Sequence, residues 1–214
     1  MKKSYQYILL DWDGNLAKTL DLWMDILRDA LLRRGVVRDD YELGASLGAF
    51  STYAQNDWHV DFDELWAELN IYAREKLPSV ELYPDALEVL KSLDNSGKNL
   101  ALVTTSKHAV IAPILQKHDL LKYFQVITAG DDVTHRKPHP EPLEVALNEL
   151  GGTRGSAIMV GDTDKDIEAA NNFGCDSILF YPPEHEKFYK LESFNKHKPT
   201  YTIRDFRKVI DIVN

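Results

Sequence analysis

Two aspartates one residue apart, Asp11 and Asp13, end the apolar run TyrIleLeuLeu and precede Gly14. In an extended chain that spacing turns both carboxyls to one side and Trp12 to the other, and Gly14 lets the chain turn sharply. A carboxylate nucleophile with a second carboxyl serving as acid and base suits phosphoryl or acyl transfer, although the same short pattern also caps ordinary turns. Thr104, Thr105 and Ser106 follow the run AlaLeuVal at the mouth of a predicted helix. Hydroxyls and helix N-terminal amides together suit a phosphate there, and a plain serine N-cap reads the same way. Lys137 precedes Pro138 and Pro140, which stiffen the loop carrying it. Asp162 and Asp166 lie four residues apart across a turn leading into a helix, a spacing that can aim two carboxylates at one point. With Asp11 and Asp13 nearby, four carboxylates would crowd one pocket, and oxygen ligands of this hardness call for Mg2+. Lys137 would offset the remaining charge.

The elements that must bring these residues together alternate. Apolar, β-prone runs at 5–10, 100–103, 124–128, 157–160 and 177–181 read as buried parallel strands. Helical patterns at 84–93, 106–118, 140–150 and 165–173 lie between them, mostly with stops at Gly97, Gly151 and Gly174. Strand, helix, strand, helix implies right-handed crossovers and an α/β doubly wound parallel sheet, whose chemistry belongs at the carboxyl ends of the strands. Residues 17–82 break the rhythm with helical patterns and no convincing strand, and are expected to form an inserted small helical subdomain. Its first helix carries Leu20, Trp23, Met24, Leu27, Ala30 and Leu31 on one face, with Thr19 as N-cap and Gly35 as stop. Its second, over 62–76, has Asp61 and Glu64 at capping-box spacing and a stripe of Phe62, Leu65, Trp66, Leu69 and Ala73. The stretch 44–56 between them reads as a polar loop.

The chain has 214 residues, with 34 acidic against 25 basic side chains and a net charge of −9. That balance argues against a duplex nucleic-acid binder. A hydrophobic content of 44% with 28% charged residues fits an ordinary globule with a sizeable core. The single Cys175 cannot pair internally, so a reducing, cytoplasmic setting is expected, with Cys175 as a small buried residue. No apolar run approaches the length of a membrane span. His135, His139 and His185 have irregular spacing and no cysteine or glutamate completing a zinc pattern, so all three are expected on the surface. The segment 181–198 reads as cover for a sheet edge or as a partner surface.

Taken in order, the motifs resemble the haloacid dehalogenase superfamily of aspartate-dependent phosphohydrolases, specifically its phosphoglycolate-phosphatase-like branch with a small helical cap. TyrIleLeuLeuAspTrpAspGlyAsnLeu matches the first motif, Thr104 ends the second, Lys137 within LysProHisPro carries the third, and GlyAspThrAspLysAspIle is the fourth. The resemblance covers nearly the whole chain. It implies a Rossmann-like core of residues 1–16 and 83–214, closed by a final strand and helix, with 17–82 as the cap. It implies that Asp11 attacks phosphorus and forms an aspartyl-phosphate, while Asp13 protonates the leaving oxygen and then activates water. Mg2+ would be held by Asp11, the Asp13 main-chain carbonyl and Asp162, with Asp166 holding a metal-bound water or orienting Lys137. Thr104, Thr105, Asn15 and Lys137 would contact the phosphoryl group.

Two departures from the pattern involve three residues. Asn15 stands where many relatives have Thr, and Lys18 and Thr19 stand where Asp and Ser are common at the cap hinge. The polar stretch 44–56, with Ser46, Ser51, Thr52, Tyr53, Gln55 and Asn56 but no Lys or Arg, points to a neutral polar leaving group; Arg33, Arg34 or Arg74 would have to supply any second anion clamp. The expected activity is therefore a Mg2+-dependent phosphatase acting on a small phosphorylated metabolite, as a monomer or weak dimer. A phosphomutase of the β-phosphoglucomutase type and a catalytically weak binding member of the family are the alternatives.

Overall fold

The structure is a computed structural model that describes residues 3–46, 50–192 and 197–214. Six parallel strands form one sheet: β1 (Tyr7–Leu10), β2 (Asn99–Val103), β3 (Val126–Thr128), β4 (Ala157–Gly161), β5 (Asp176–Phe180) and β6 (Tyr201–Ile203), in the order β3-β2-β1-β4-β5-β6. The expected doubly wound parallel sheet is present, with β1 beside the point where the winding reverses. The strands are apolar throughout because both faces are covered. Leu9, Ala101, Val103 and Met159 pack on α7 (Glu141–Glu149) and α8 (Asp164–Phe173). Ile8, Leu10, Leu102, Ile158 and Val160 face α5 (Ala86–Asn95), α6 (His108–Lys117) and α9 (Lys208–Val213). Trp12 continues the second face at 1% exposure, so the alternation that places Asp11 and Asp13 opposite to it holds beyond the end of β1.

Between β1 and α5 lie α1 (Thr19–Leu32), α2 (Asp40–Ala45), α3 (Phe50–Asn56) and α4 (Phe62–Lys76). The chain leaves and re-enters the sheet side by side: Ala17 bridges Leu82, Tyr83 N donates to Leu16 O at 2.9 Å, and Lys18 N donates to Glu81 O at 2.8 Å. Apolar packing continues from the sheet into this helical insertion through Leu20, Met24, Leu27 and Leu65.

Several expectations for the insertion are corrected. Most of 44–56 is helical rather than loop, since α3 is held by Phe50 packing edge-on against Trp58 and Phe62; residues 47–49 lie outside the described residues. Ser46 is buried, its hydroxyl bound to Leu43 O at 2.6 Å. Trp66 is not part of the buried stripe of α4: it is exposed and stacks on Phe62. Thr19 is the first residue of α1 instead of its cap. Asp61 does cap α4, accepting Glu64 N at 2.9 Å. Among the described residues no helix is long and apolar enough to cross a membrane.

The packing generates two expectations. Leu102→Ala, at a fully buried central-strand position, should cost about 2–5 kcal/mol in a urea unfolding experiment. Cys175 packs beside Phe173, and burial pushes its thiol up to about 12, so it should react with a thiol reagent at pH 8 far more slowly in the native protein than in urea.

Candidate active site

The loop after β1 is built around Trp12. Its carbonyl accepts from Leu16 N at 3.1 Å and Ala17 N at 3.0 Å, while Gly14 N reaches Ala17 O at 2.9 Å and Thr19 Oγ1 at 3.2 Å. Thr19 thus ties down this loop, which is why it does not cap α1. Gly14 has φ +74°, and a Cβ there would lie 2.1 Å from Asp162 Oδ2. Only glycine satisfies both the left-handed conformation and the close approach. Asn15 is fully buried and donates from Nδ2 to Asp11 O at 3.0 Å, so it takes part in the loop's internal bonding.

Asp11 stays in register with the sheet through its N–H to Val160 O at 2.9 Å, and its carboxyl is buried. Lys137 reaches it from the loop after β3. The ammonium donates to Asp11 Oδ1 at 2.7 Å, Asp166 Oδ1 at 2.6 Å and Val103 O at 2.9 Å, which uses all three of its protons. Asp166, in the first turn of α8, accepts on its other oxygen from Thr163 N at 3.1 Å and Thr163 Oγ1 at 2.8 Å. A Cβ at Gly161 would sit 2.3 Å from Asp166 Cγ, so the missing side chain makes room for this carboxyl.

Asp162 completes the cluster. Oxygens of Asp11, Asp162 and Asp166 lie within 4.8 Å of one another, all buried. Burial, reinforced by Asp166 and opposed by Lys137, pushes Asp11 up to about 7. Burial together with Asp166 and Asp11 likewise raises Asp162 well above the usual carboxylate range. For Lys137 burial acts downward, but Asp11 and Asp166 outweigh it and hold the ammonium charged. With all three carboxyls ionised, one lysine leaves an excess of two negative charges. Among the described residues Asp162 Oδ1 is buried without a hydrogen-bond partner, an arrangement costly for a carboxylate unless a cation meets it. Hard oxygen donors, charge excess and an orphaned oxygen together fit a divalent metal ion.

The fourth carboxyl, Asp13, is not in this cluster, contrary to the expected crowd of four. Its Oδ2 accepts from Ser106 Oγ at 2.7 Å and its Oδ1 from Trp23 Nε1 at 3.3 Å, which joins a core loop to α1 of the insertion. Thr104 is buried at the end of β2 and its Oγ1 accepts Ser106 N at 3.0 Å, so it orients the serine that holds Asp13. Thr105 is half-buried at the same mouth, with its carbonyl packed where a Cβ on Gly130 would be 2.1 Å away.

The sequence profile of the Haloacid dehalogenase-like hydrolase family matches residues 8–180. The chain belongs to this family. Curated relatives include a phosphoglycolate phosphatase of Salmonella typhi, 43% identical over 97 residues, which is 45% of this chain and 38% of that protein. The chain thus spans 38% of the length of the curated relatives it matches. Solved structures similar to this chain include a Lactobacillus plantarum phosphoglycolate phosphatase candidate, with TM-score 0.83 and 20% identity over 98% of this chain and 99% of that one. CbbY from Rhodobacter sphaeroides, solved in complex with phosphate, has TM-score 0.76 and 20% identity, covering 96% of each chain. At these identities the structural likenesses speak for the fold.

Several residues around the buried carboxylates were not singled out for these contacts from sequence. Ser106 read as a helix cap and Trp23 as an apolar-face residue, yet both hold Asp13. His135 and His139 are exposed as expected, but a glutamate does stand beside them: Glu141 Oε2 is 2.8 Å from His135 Nδ1. Glu141 also accepts Thr134 N at 2.8 Å and His135 N at 2.9 Å, pinning the loop that carries Lys137. His185, expected on the surface, is buried at 1% exposure because the chain after β5 folds back onto Tyr83 and Asp162. Tyr189, four residues later, donates to Asp162 Oδ2 at 3.0 Å. The spacing of His185 and Tyr189 within a turn-forming segment was the available signal.

Lys137→Met strands two buried carboxylates without their cation. It should cost about 3–5 kcal/mol of stability in chemical denaturation, with the deficit shrinking as pH falls and the carboxyls protonate.

Proposed function

We propose that this hydrolase is a Mg2+-dependent phosphatase acting on a small phosphomonoester through an aspartyl-phosphate on Asp11. The observation that carries the reading is the buried Asp11 carboxyl, held by Lys137 beside Asp162 and Asp166, with Asp13 two residues away and pinned separately. Asp11, Asp162 and the Asp13 main-chain carbonyl would hold the ion, which when bound supplies positive charge where the phosphoryl oxygens gain negative charge. Lys137 fixes Asp11 for in-line attack: the Asp11–phosphorus bond forms as the bond to the leaving oxygen breaks. Asp13 gives its proton to that oxygen. In the second step it takes a proton from water, whose oxygen attacks phosphorus and frees phosphate and the Asp11 carboxylate. Thr104 and Thr105 would line the phosphoryl pocket, and 17–82 would act as the cap over it. Asn15, fully buried, would brace the loop beneath the pocket through Asp11 O, and would not touch substrate, contrary to the expectation from sequence.

The substrate class follows from what the insertion offers. Arg33 and Arg34 both bind Glu68 on α4, and Arg33 also stacks on Tyr72 at 4.9 Å, so these two guanidiniums serve the α1–α4 seam. With no Lys or Arg in 44–56, a neutral polar leaving group such as a sugar or small alcohol is favoured over one bearing a second anion. A cytoplasmic setting suits both a small metabolite and the free thiol of Cys175.

Phosphate release should require Mg2+, vanish on chelation, and be lost in Asp11→Asn; release that persists in this variant would overturn the assignment of Asp11. Across a panel of monoesters, sugar and small-alcohol phosphates should outrank phosphoglycolate and bisphosphates in kcat/KM. First rank for phosphoglycolate would overturn the neutral-leaving-group reading and leave the phosphatase reading intact.

A further inference from the structure

The segment after β5 has no part in the reaction as described, yet it carries a chain of buried polar groups that ends on Asp162. Tyr83 Oη lies 2.6 Å from His185 Nε2, His185 Nδ1 lies 2.7 Å from Tyr189 Oη, and Tyr189 donates both to Asp162 Oδ2 at 3.0 Å and to Asp162 O at 3.1 Å. The acceptor at the end sets the direction of every proton. Asp162 must be ionised to ligate a metal, and a carboxylate only accepts, so Tyr189 donates to it. The Tyr189 oxygen therefore accepts from His185 Nδ1–H, and His185 Nε2 accepts the Tyr83 hydroxyl proton. His185 is buried at 1% exposure with a tyrosine hydroxyl on each ring nitrogen, the setting of the neutral ring that this ordering requires.

The two bonds from one hydroxyl to a carboxylate oxygen and the carbonyl of the same residue leave Asp162 little rotational freedom. Gly14 presses on the same Oδ2, where a Cβ would come within 2.1 Å. Oδ2 is thus fixed from two sides, and Oδ1 is the oxygen left buried without a hydrogen-bond partner among the described residues. The arm is itself anchored. Tyr83 stands where the chain returns from the insertion, bonded to Leu16 O, while Phe188 O packs so closely on α2 that a Cβ at Gly44 would lie 2.0 Å away.

We propose that Tyr83, His185 and Tyr189 form a positioning arm that holds Asp162 with Oδ1 presented to a divalent cation, and that Tyr189 thereby sets the cation affinity of the site. The inference rests on the reading of Asp162 as a metal ligand. Partners of this kind, bonded to a ligand and not to the metal, typically change affinity about 10- to 100-fold when removed.

The test is Mg2+ binding to the full chain by isothermal titration calorimetry at neutral pH, without substrate, alongside thermal melting in chelator. Tyr189→Phe should raise Kd about 10- to 100-fold, and Tyr83→Phe, which trims only the outer end, should raise it less. Asp162→Asn should lose binding. A Tyr189→Phe protein that melts lower but binds Mg2+ like the parent shows a packing role only and overturns the proposal, with the metal-ligand reading standing if Asp162→Asn still loses binding. Parent-like binding by Asp162→Asn, or no binding by the parent, overturns both. Should Tyr189→Phe fail to fold, the parent supplies the readout: 15N spectra should show His185 as the neutral Nδ1–H tautomer, with its ring signals shifting as Mg2+ saturates. Another tautomer, or signals that do not move, overturns the proposal.

Discussion

Lys137 is enclosed by two carboxylates and a carbonyl at 3% side-chain exposure, and much of the site depends on that ammonium. Burying three carboxyls side by side would normally drive them to protonate. One lysine with all three protons engaged keeps Asp11 and Asp166 in place and fixes which oxygens remain available. It does not neutralise the cluster, and the upward pull on Asp11 and Asp162 expresses what is left over. The pocket is therefore stable as protein while still short of positive charge, a combination suited to binding a cation together with a phosphoryl group.

The sheet makes this crowding attainable. In a parallel sheet the strand ends on one side meet along a line, so β1, β2 and β4 deliver Asp11, Thr104 and Asp162 to neighbouring positions from residues far apart in sequence. Register supplies the alternation that turns Asp11 and Asp13 away from Trp12. Small residues then permit contact where backbones and carboxyls converge, with Gly14 admitting Asp162 and Gly161 admitting Asp166.

This geometry is also why the doubly wound sheet and the gathering of Asp11, Lys137, Asp162 and Asp166 were legible from sequence. Asp11 and Asp162 directly follow apolar runs, Asp166 and Lys137 lie in the segments that leave such runs, and once the runs are parallel strands their carboxyl ends share one edge of the sheet. Element ends moved by a residue or two, as when β1 begins at Tyr7 and leaves Tyr5 buried but outside the strand. What sequence did not disclose depends on packing between distant segments. α3 is short and polar, and its helix is held by contacts of Phe50 with Trp58 and Phe62. GluHisGluLys reads as solvent-facing, and His185 is buried with both nitrogens met, one by Tyr83 from a distant segment and one by Tyr189 four residues on.

Asp13 shows the same dependence with a consequence for the proposed chemistry. The spacing of Asp11 and Asp13 placed their carboxyls on one side of the chain but did not separate their tasks. In the structure Asp11 is committed to Lys137, while Asp13 divides its two oxygens between Ser106 of the core and Trp23 of α1. A group that must deliver and then reclaim a proton needs its geometry fixed at that moment, and here half of that geometry comes from the helical insertion. Movement of α1 away from the sheet would remove the Trp23 bond while the Ser106 bond remained. In the proposed reaction the acid–base group is therefore fully oriented only while α1 holds Trp23 against it, which ties proton transfer to the seating of the insertion on the sheet.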